Sequence, residues 1–407
     1  MAGIALGETA GFVGAGEEQQ KATPPALTYD GRVRPLFFLW LKVTLLAFLT
    51  LGFYRFWGRT RVRKYLWSRI SLDGERFEYD GTGGELFRRF LVTLVVVAPL
   101  LFAPQVVRLA GASAGQTGIV EAVQVFLLFF LAYLGYYAGR RYRLSRTLWS
   151  GIRGGLDGHS ALYAVYAMLT GIATLVTLGL YSPWQRVILW RYEARHISFG
   201  DRHFAFDGRG KHLFGAQLLS AVLFVVALLG AILLVAALAY GLWESVGKAL
   251  FPGFGQELNE VLALIGKGDW KTLFQKYAYL LIAFIMGYFV LIFFLSFMLQ
   301  AVFAVAFSRF HARWFNYVAC HTQFGALGLS AQVTPWPMFK LLLGNMVLQV
   351  LTIGLARPFV AHRMLRFTCS NLDVHGIDSL AALRQSAERG RPPAEGLAQL
   401  LDSGGFA

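Results

Sequence analysis

Carboxylates, histidines and cysteines are the side chains of this sequence that could perform chemistry. None of them occurs at the spacing of a known catalytic or metal-binding motif. Four aspartates recur beside glycine: Asp73, Asp80, Asp157 and Asp207. They could gather around a metal, but Asp next to glycine is ordinary turn chemistry. No H-E-x-x-H, Ser-His-Asp or phosphate-binding glycine loop is present, and Cys320 and Cys369 form no C-x-x-C pair. We therefore expect neither an enzyme nor a bound metal or cofactor.

Polar side chains within apolar segments are a second group of candidates. An ionisable residue in a membrane segment indicates a functional site by default, which singles out Lys42. A lysine can instead extend its ammonium group to the membrane surface, as we expect for Lys340. The amides of Asn345 and Gln349 could line a polar path or hydrogen-bond between helices. A solute path would be lined by Lys42, Gly52, Gly179, Gly354, Asn345 and Gln349.

Composition places these residues in a polytopic membrane protein. The chain has 407 residues, of which 56% are hydrophobic and 15% charged, whereas soluble domains carry about 25% charged residues. A net charge of +15 could indicate nucleic-acid binding. Lys and Arg cluster beside the apolar segments, however, as in the cytoplasmic loops of membrane proteins. We therefore expect the lipid bilayer, and no nucleic acid, as the partner, and leave a homo-oligomer open.

Four segments have the roughly 20 apolar residues that cross about 30 Å of hydrocarbon. They are Phe87–Leu109, Ile119–Gly139, Phe214–Leu242 and Tyr277–Phe307. The positive-inside bias then predicts cytoplasmic loops, including the C-terminus, at residues 57–88, 140–160, 185–213, 308–337 and 360–407. The weakly charged connections, 109–118 and 243–276, are expected on the outside.

Three further apolar segments have basic residues on both flanks. They are Leu36–Trp57, Leu162–Trp184 and Met338–Phe359. If they cross, the chain has seven spans, and one basic flank of each faces outward against the usual bias. If they dip in and return, the breaks fall at Gly52, Gly179 and Gly354, and the backbone there must be covered by protein or water. The sequence leaves both alternatives open.

A repeated unit organises the chain: an apolar segment ending in Leu-Gly, a basic helix, then a hairpin. The clearest copies begin at Leu51 and Leu178, and such self-similarity indicates a repeated supersecondary structure. We interpret the basic segments Gly58–Trp67 and Arg140–Trp149 as interfacial helices that bind anionic lipid headgroups. The candidate headgroup contacts are Arg59, Arg61, Arg63, Lys64, Trp67, Arg140, Arg141, Arg143 and Trp149.

Short alternating runs around glycine predict β-hairpins. Asp73-Gly74 joins two such runs, Ile70–Leu72 and Phe77–Tyr79, and Asp-Gly in this setting is the strongest hairpin signal. A second hairpin is predicted within 197–208, and weaker copies at 156–158, 324–325 and 374–376. Because an isolated hairpin is barely stable in water, we expect strands from successive units to pair into a small sheet.

Together these patterns predict an all-α polytopic membrane protein with internal repeats, short cytoplasmic β-hairpins and amphipathic interfacial helices. The membrane domain is expected at residues 29–383, in units of about 29–110, 111–213 and 214–383. Residues 1–28 and 384–407 are expected to be disordered tails. The first of these lacks the basic and apolar regions of a signal peptide.

The Leu-Gly phrases also carry a family resemblance. The sequences T-L-G-F-Y-R-F-W at 50–57, T-L-G-L-Y-S-P-W at 177–184 and T-I-G-L-A-R-P-F at 352–359 resemble the YjgN family of bacterial inner-membrane proteins, over about residues 29–383. The resemblance implies a multi-pass protein of the bacterial inner membrane and transfers no catalytic or binding residue. Internal repeats and glycine-interrupted segments suggest a transporter or channel. The alternative is a structural or lipid-organising protein with a cytoplasmic surface for a partner.

Overall fold

The computed structural model describes residues 26–242, 244 and 253–377. Its helices are α1 (Val33–Leu49), α2 (Arg55–Trp67), α3 (Gly83–Leu109), α4 (Ala114–Ser145), α5 (Ser160–Val176), α6 (Ser182–His196), α7 (Lys211–Leu242), α8 (Phe254–Lys267), α9 (Trp270–His321), α10 (Pro335–Leu351) and α11 (Arg357–Asn371). Its strands are β1 (Leu27–Tyr29), β2 (Ile70–Leu72), β3 (Glu75–Tyr79), β4 (Thr147–Trp149), β5 (Ile152–Leu156), β6 (Ile197–Phe199), β7 (Arg202–Phe206), β8 (Thr322–Phe324), β9 (Leu327–Ser330) and β10 (Asp373–His375). The predicted tails lie outside the described residues, except that Leu27 and Thr28 belong to β1.

The four predicted spans are confirmed as long apolar helices. By length and composition α3, α4, α7 and α9 can each cross a membrane. Local sequence fixes where the first two begin. The Thr82 hydroxyl accepts a hydrogen bond from the Glu85 amide at the start of α3, and Ser113 and Gln116 form a capping box at the start of α4.

All ten strands form one antiparallel sheet, in which they follow one another in chain order. Each group of helices leaves the sheet from one strand and returns to the neighbouring strand. Leu27 before α1 pairs with Leu72 after α2, and Phe77 before α3 pairs with Trp149 after α4. The pairs β5–β6, β7–β8 and β9–β10 flank the remaining helices in the same way. The chain is mostly helical, as expected, but a continuous ten-stranded sheet makes all-α too narrow a class.

The hairpin turns follow the glycine signals, with one correction. Asp73 and Gly74 have φ values of 52° and 82° and turn β2 into β3 as predicted. The turn expected at Asp157-Gly158 lies instead at Ser150-Gly151. Asp157 directly follows β5, and its amide donates to the carbonyl of His196, which extends the pairing with β6.

The aspartates at strand ends have structural partners. The Asp80 carboxylate accepts a hydrogen bond of 3.0 Å from Arg153, and this bond is the main reason why the pKa of Asp80 lies below its usual range. Asp157 accepts from the Ser198 hydroxyl at 3.1 Å. Among the described residues no group of three or more metal-binding side chains comes together. Asp80 and Asp157 thus serve the junctions between strands and helices, while Asp73 serves a hairpin turn.

The basic segment Arg140–Trp149 is not an interfacial helix. Its first residues are the last turns of α4, and Thr147–Trp149 is β4. Trp149 therefore sits in a strand, whereas Trp67 in the matching Leu-Trp-Ser phrase ends a helix. Pairing of β4 with β3 overrides the local resemblance between the two phrases.

The three ambiguous apolar segments are helix–turn–helix units: α1–α2, α5–α6 and α10–α11. In the first turn, the Gly52 amide donates to the carbonyl of Ala47, a bond that caps the end of a helix. The Thr50 hydroxyl accepts from the Tyr54 amide at 2.9 Å. Thr177 and Thr352 make the same bond in the other two turns. Because each unit begins and ends at adjacent strands, the structure supports the returning alternative.

The helices form a ring above the sheet. From α1 to α7 each helix packs against the next one, α7 packs against α9, and α9 and α10 each pack against their successor. Helix α11 packs against α1 and β1, which closes the ring. At this seam the Tyr29 hydroxyl lies 2.7 Å from Nδ1 of His362, and the Trp40 indole donates to the carbonyl of Leu355 at 2.8 Å. The first strand and the first helix therefore meet the last helix, α11, at this seam.

The inner face of the sheet is apolar and lines a partly open cavity of about 210 Å³. The lining residues come from both edge strands and most of the strands between them: Leu27, Leu72, Phe77, Trp149, Phe199, Phe204, Phe324, Leu327, Leu329, Leu372 and Val374. Eight strands make a barrel that side chains just fill. A ten-stranded sheet that curls this far leaves a gap, which the aromatic rings only partly occupy.

Cysteine reactivity tests the closure of the ring. Cys369 is buried in α11, and burial raises the pKa of its thiol to about 11, so little reactive thiolate exists at neutral pH. In a Cys320→Ser background, Cys369 is expected to react with a maleimide many times more slowly in the folded protein than after denaturation. Tyr29→Ala should speed the reaction by loosening the seam, while Tyr29→Phe, which keeps the ring, should change it less. Equal rates in folded and denatured protein would contradict the closed seam.

Candidate functional site

Three exposed turns are the most unusual feature of the molecule. We call them the tips: Leu51-Gly52, Leu178-Gly179 and Ile353-Gly354. In each tip the large apolar residue has a φ of 49–50° and the following glycine a φ of 77–90°. The apolar residues are 90%, 91% and 91% exposed. A left-handed conformation and near-complete exposure are both unfavourable for Leu and Ile in water.

Whether a tip is stable depends on two free energies: the cost of its left-handed backbone conformation and the gain from burying its apolar side chain. The left-handed conformation costs a residue with a Cβ roughly 1–2 kcal/mol, and Ile353, being β-branched, is a genuine outlier there. Asn would adopt this conformation more easily. Burying a Leu or Ile side chain in an apolar medium stabilises by roughly 1.5–3 kcal/mol. An apolar environment offsets the strain, whereas water does not.

Arginines limit how deep the tips can lie in a membrane. Arg55 and Arg357 follow the turn glycines by three residues, and Arg186 follows by seven. At the helical rise these spacings correspond to about 5–10 Å. The guanidinium groups of Arg55 and Arg357 are expected to stay near lipid phosphate and water, whereas that of Arg186 packs over the Phe310 ring at 4.9 Å. The tips can therefore reach about 5–10 Å below the headgroups, which is the depth of interfacial helices.

Aromatic packing holds the first tip level with the start of a spanning helix. The rings of Phe53 and Trp57 lie 6.1 Å and 5.9 Å from that of Phe87 in the first turns of α3. Trp57 also covers Gly83, where an added Cβ would lie 2.6 Å from the indole. Arg88 follows Phe87 directly. This tip thus reaches the depth at which α3 carries its basic residues.

The second tip is held in the same way. Trp184 covers Gly210, where an added Cβ would lie 2.8 Å from the indole, and its ring lies 5.2 Å from that of Phe214. The amide of Gln217 in α7 donates to the carbonyl of Gly179 at 3.2 Å. The glycine before α7 and the first turns of α7 therefore fix the position of this tip along the axis of α7.

The candidate residues of a solute path are dispersed. Gly52, Gly179 and Gly354 lie in three separate tips. Lys42 is exposed on α1, and Gln349 is exposed on α10.

Asn345 is the one member of that set with an unusual environment. It is 8% exposed on α10, and its Oδ1 has no hydrogen-bond partner among the described residues. Helix α11 packs against both α1 and α10, so it stands between Lys42 and Asn345.

The headgroup candidates divide into two groups. Arg59, Arg61, Arg63 and Lys64 lie along α2. Partial burial and the like charges of Arg55, Arg63 and Arg357 lower the pKa of Arg59. Cations of α2 and of the first turn of α11 thus lie close enough to repel one another, which favours an anion between them.

Three of the other headgroup candidates donate hydrogen bonds to the protein. Arg141 donates to the carbonyl of Leu156 at 2.8 Å. Trp67 donates to the Thr147 hydroxyl at 3.1 Å. Trp149 is buried in the cavity and shares its indole N–H between the carbonyls of Leu72 and Glu75, each at 3.3 Å.

A buried ion pair between α4 and α6 was not predicted from the sequence. Glu193 of α6 is 3% exposed, and its Oε2 lies 2.6 Å from Nη1 of Arg140 in α4. Its Oε1 accepts from the Tyr163 hydroxyl of α5 at 2.9 Å. Burial raises the pKa of the Glu193 carboxyl, and its two partners oppose that rise. One signal was available: Glu193 is the single acidic residue of α6.

Comparisons with known proteins place the chain among bacterial membrane proteins. A family model described as bacterial protein of unknown function (DUF898) matches residues 24–400. Inner membrane protein YjgN of Salmonella typhimurium is 31% identical over 70 residues, 17% of this chain and 18% of that protein. Its Escherichia coli O157:H7 counterpart is 27% identical over 129 residues, 31% and 30% of the two chains. The chain thus spans less than a third of either relative, and no solved structure matches.

Proposed function

Because the chain belongs to the DUF898 family of bacterial proteins, and the relatives it matches are inner membrane proteins, we propose that it is a lipid-organising protein of the inner membrane. Its three tips enter one leaflet beneath the headgroups, while α3, α4, α7 and α9 cross the bilayer. The observation that carries the proposal is the strained, exposed apolar residue in each tip. We propose no catalytic role.

Anionic headgroups are the proposed partners of the tips. Arg55, Arg59 and Arg63 lie one turn apart along α2, and the positive charge of Arg357 in α11 helps to lower the pKa of Arg59. A lipid phosphate there would relieve their mutual repulsion and would hold the tips at a fixed depth.

The polar outer face of the sheet is a proposed docking surface for a protein partner.

The orientation and the internal repeat belong to the same proposal. The sheet lies at the end of the helices that carries most Lys and Arg, and the positive-inside bias supports a cytoplasmic location for it and for the C-terminus. The repeated unit is a helix pair followed by a β-hairpin. The recurrence of the same turn at Gly52, Gly179 and Gly354 supports this unit.

Transport is the second proposal and has less support. It needs a continuous polar path, and its candidate residues are spread over separate turns and helices. The observation in its favour is the buried, unpaired Oδ1 of Asn345. Solute flux through reconstituted vesicles that falls on Asn345→Leu, with folding intact, would favour transport over lipid organisation.

The depth of a tip tests the leading proposal. A spin label attached at position 178, through Leu178→Cys in a Cys320→Ser/Cys369→Ser background, is expected about 5–10 Å below the phosphates. Oxygen should broaden its resonance more than a water-soluble nickel complex does. The matched control is His203→Cys on the exposed outer face of the sheet, where the nickel complex should dominate. Equal nickel accessibility at the two positions would rule out tip insertion.

A further inference from the structure

Under the proposed function, the described residues are divided unequally between the two leaflets of the membrane. Four helices can span both leaflets. The three tip units begin and end at the sheet, so under the proposed function they occupy only the leaflet on the sheet side. On the opposite side, the described residues include one short helix, α8, which follows α7 and packs against the start of α9.

We propose that the protein prefers, and at high density creates, membrane that is convex on the sheet side. This inference rests on the proposed insertion of the tips. Apolar groups placed just beneath the headgroups push lipids of one leaflet apart without widening the other. Interfacial insertions of this kind bind best where curvature has already opened gaps between headgroups. The ligand is therefore a convex lipid surface, not a particular lipid molecule.

The apolar surface of each tip is larger than its central residue. In the first two tips, the residue three positions before the turn leucine is also exposed. Phe48 is 83% exposed and Leu175 is 77% exposed. In the third tip, Leu351 is 72% exposed. Each tip is therefore a wedge of at least two large side chains.

The ring distributes these wedges around its circumference. Tip units and spanning pairs alternate along the ring in the order α1–α2, α3–α4, α5–α6, α7–α9 and α10–α11. The second wedge lies between the two spanning pairs, and the first and third flank the seam. A leaflet expanded at three places around one ring bends in all directions, so the preferred shape is a dome. A narrow tube is convex in one direction and therefore also offers more of this curvature than a flat membrane.

The test measures the distribution of the fluorescent full-length protein between a flat membrane and a narrow tube pulled from it. Giant vesicles of neutral and anionic phosphatidyl lipids are used, with the sheet side outward, as shown by reaction of Cys320 with an impermeant thiol reagent. The wild type is expected to be enriched severalfold in the tube, after normalisation to a lipid dye. Enrichment should increase as the tube narrows.

The key variant is Leu51→Asn/Leu178→Asn/Ile353→Asn. Asn suits the left-handed turn and removes the apolar wedge from three positions that contribute nothing to the core, so folding should persist. Its tube-to-flat ratio is expected to fall to about that of the lipid dye. The matched control is Leu262→Asn on the exposed face of α8, which removes apolar surface from the opposite side and should not lower the ratio.

The outcomes separate the two proposals. A wild-type ratio equal to the lipid dye, with the label at position 178 still buried in lipid, overturns the curvature inference and leaves tip insertion standing. A label at position 178 in water overturns both. An equal loss of enrichment in the triple variant and in Leu262→Asn also overturns the inference, because the effect would not depend on the sheet-side leaflet.

Discussion

Replacing Arg140 by alanine is expected to destabilise the folded protein by about 3–5 kcal/mol, because the Glu193 carboxylate then remains buried without its cation. The pair joins α4 to α6, and Tyr163 adds α5 to the same cluster. Unfolding by denaturant in detergent micelles measures the change. In the matched double variant, Arg140→Met/Glu193→Gln, no charge is left uncompensated, and most of the loss should disappear.

The pH dependence of Arg140→Ala provides a check with a definite sign. Burial already raises the pKa of Glu193, and loss of Arg140 removes a group that opposes this rise. The folded variant then binds a proton that the unfolded chain releases near pH 4.3. Its stability should therefore be highest at low pH and decrease as the pH rises from the ordinary Glu pKa through the raised one. A deficit independent of pH would show that lost packing, not charge, causes the effect.

Replacing Trp149 by alanine is expected to destabilise the sheet by about 3–5 kcal/mol, the usual effect of deleting a buried aromatic ring. Trp149 contacts the cavity from β4, and its ring lies 6.4 Å from that of Phe77 and 6.3 Å from that of Phe199. The same unfolding assay measures the loss.

Two controls separate the ring from its hydrogen bonds. Trp149→Phe keeps an aromatic ring but leaves the carbonyls of Leu72 and Glu75 without the indole donor, so a smaller loss of about 1–2 kcal/mol is expected. Trp336→Ala removes an exposed indole on α10 and should have little effect. If Trp149→Ala were as mild as Trp336→Ala, the curled sheet would not be a cooperative part of the fold.

Local sequence was enough to predict the elements that depend on short-range patterns. The four long apolar helices follow from segment length, and the β2–β3 hairpin follows from Asp73-Gly74. The break in each tip unit follows from its glycine. These features are encoded within about 20 neighbouring residues, so composition and period reveal them.

Contacts between strands and side chains that are far apart in the sequence could not be predicted in this way. Phe77 pairs with Trp149 across a complete membrane hairpin, and nothing in either strand specifies the other. The strand identity of Thr147–Trp149 depends on that partner, which is why the segment was misread as a helix. The ion pair of Arg140 with Glu193 depends on the packing of three helices. The left-handed residue before each tip glycine was missed because Leu and Ile rarely adopt that conformation.

The seam between α11 and β1 has a consequence for connectivity. Because the strands follow chain order and the first and last described strands line the same cavity, no hairpin has a privileged position in the ring. Circular permutation, with the present ends joined and new ends opened at the turn of Ser150 and Gly151, would leave every strand pair and every helix pair intact. The contacts between neighbouring units are thus independent of the unit at which the chain order starts, which in this protein is the one that begins with β1.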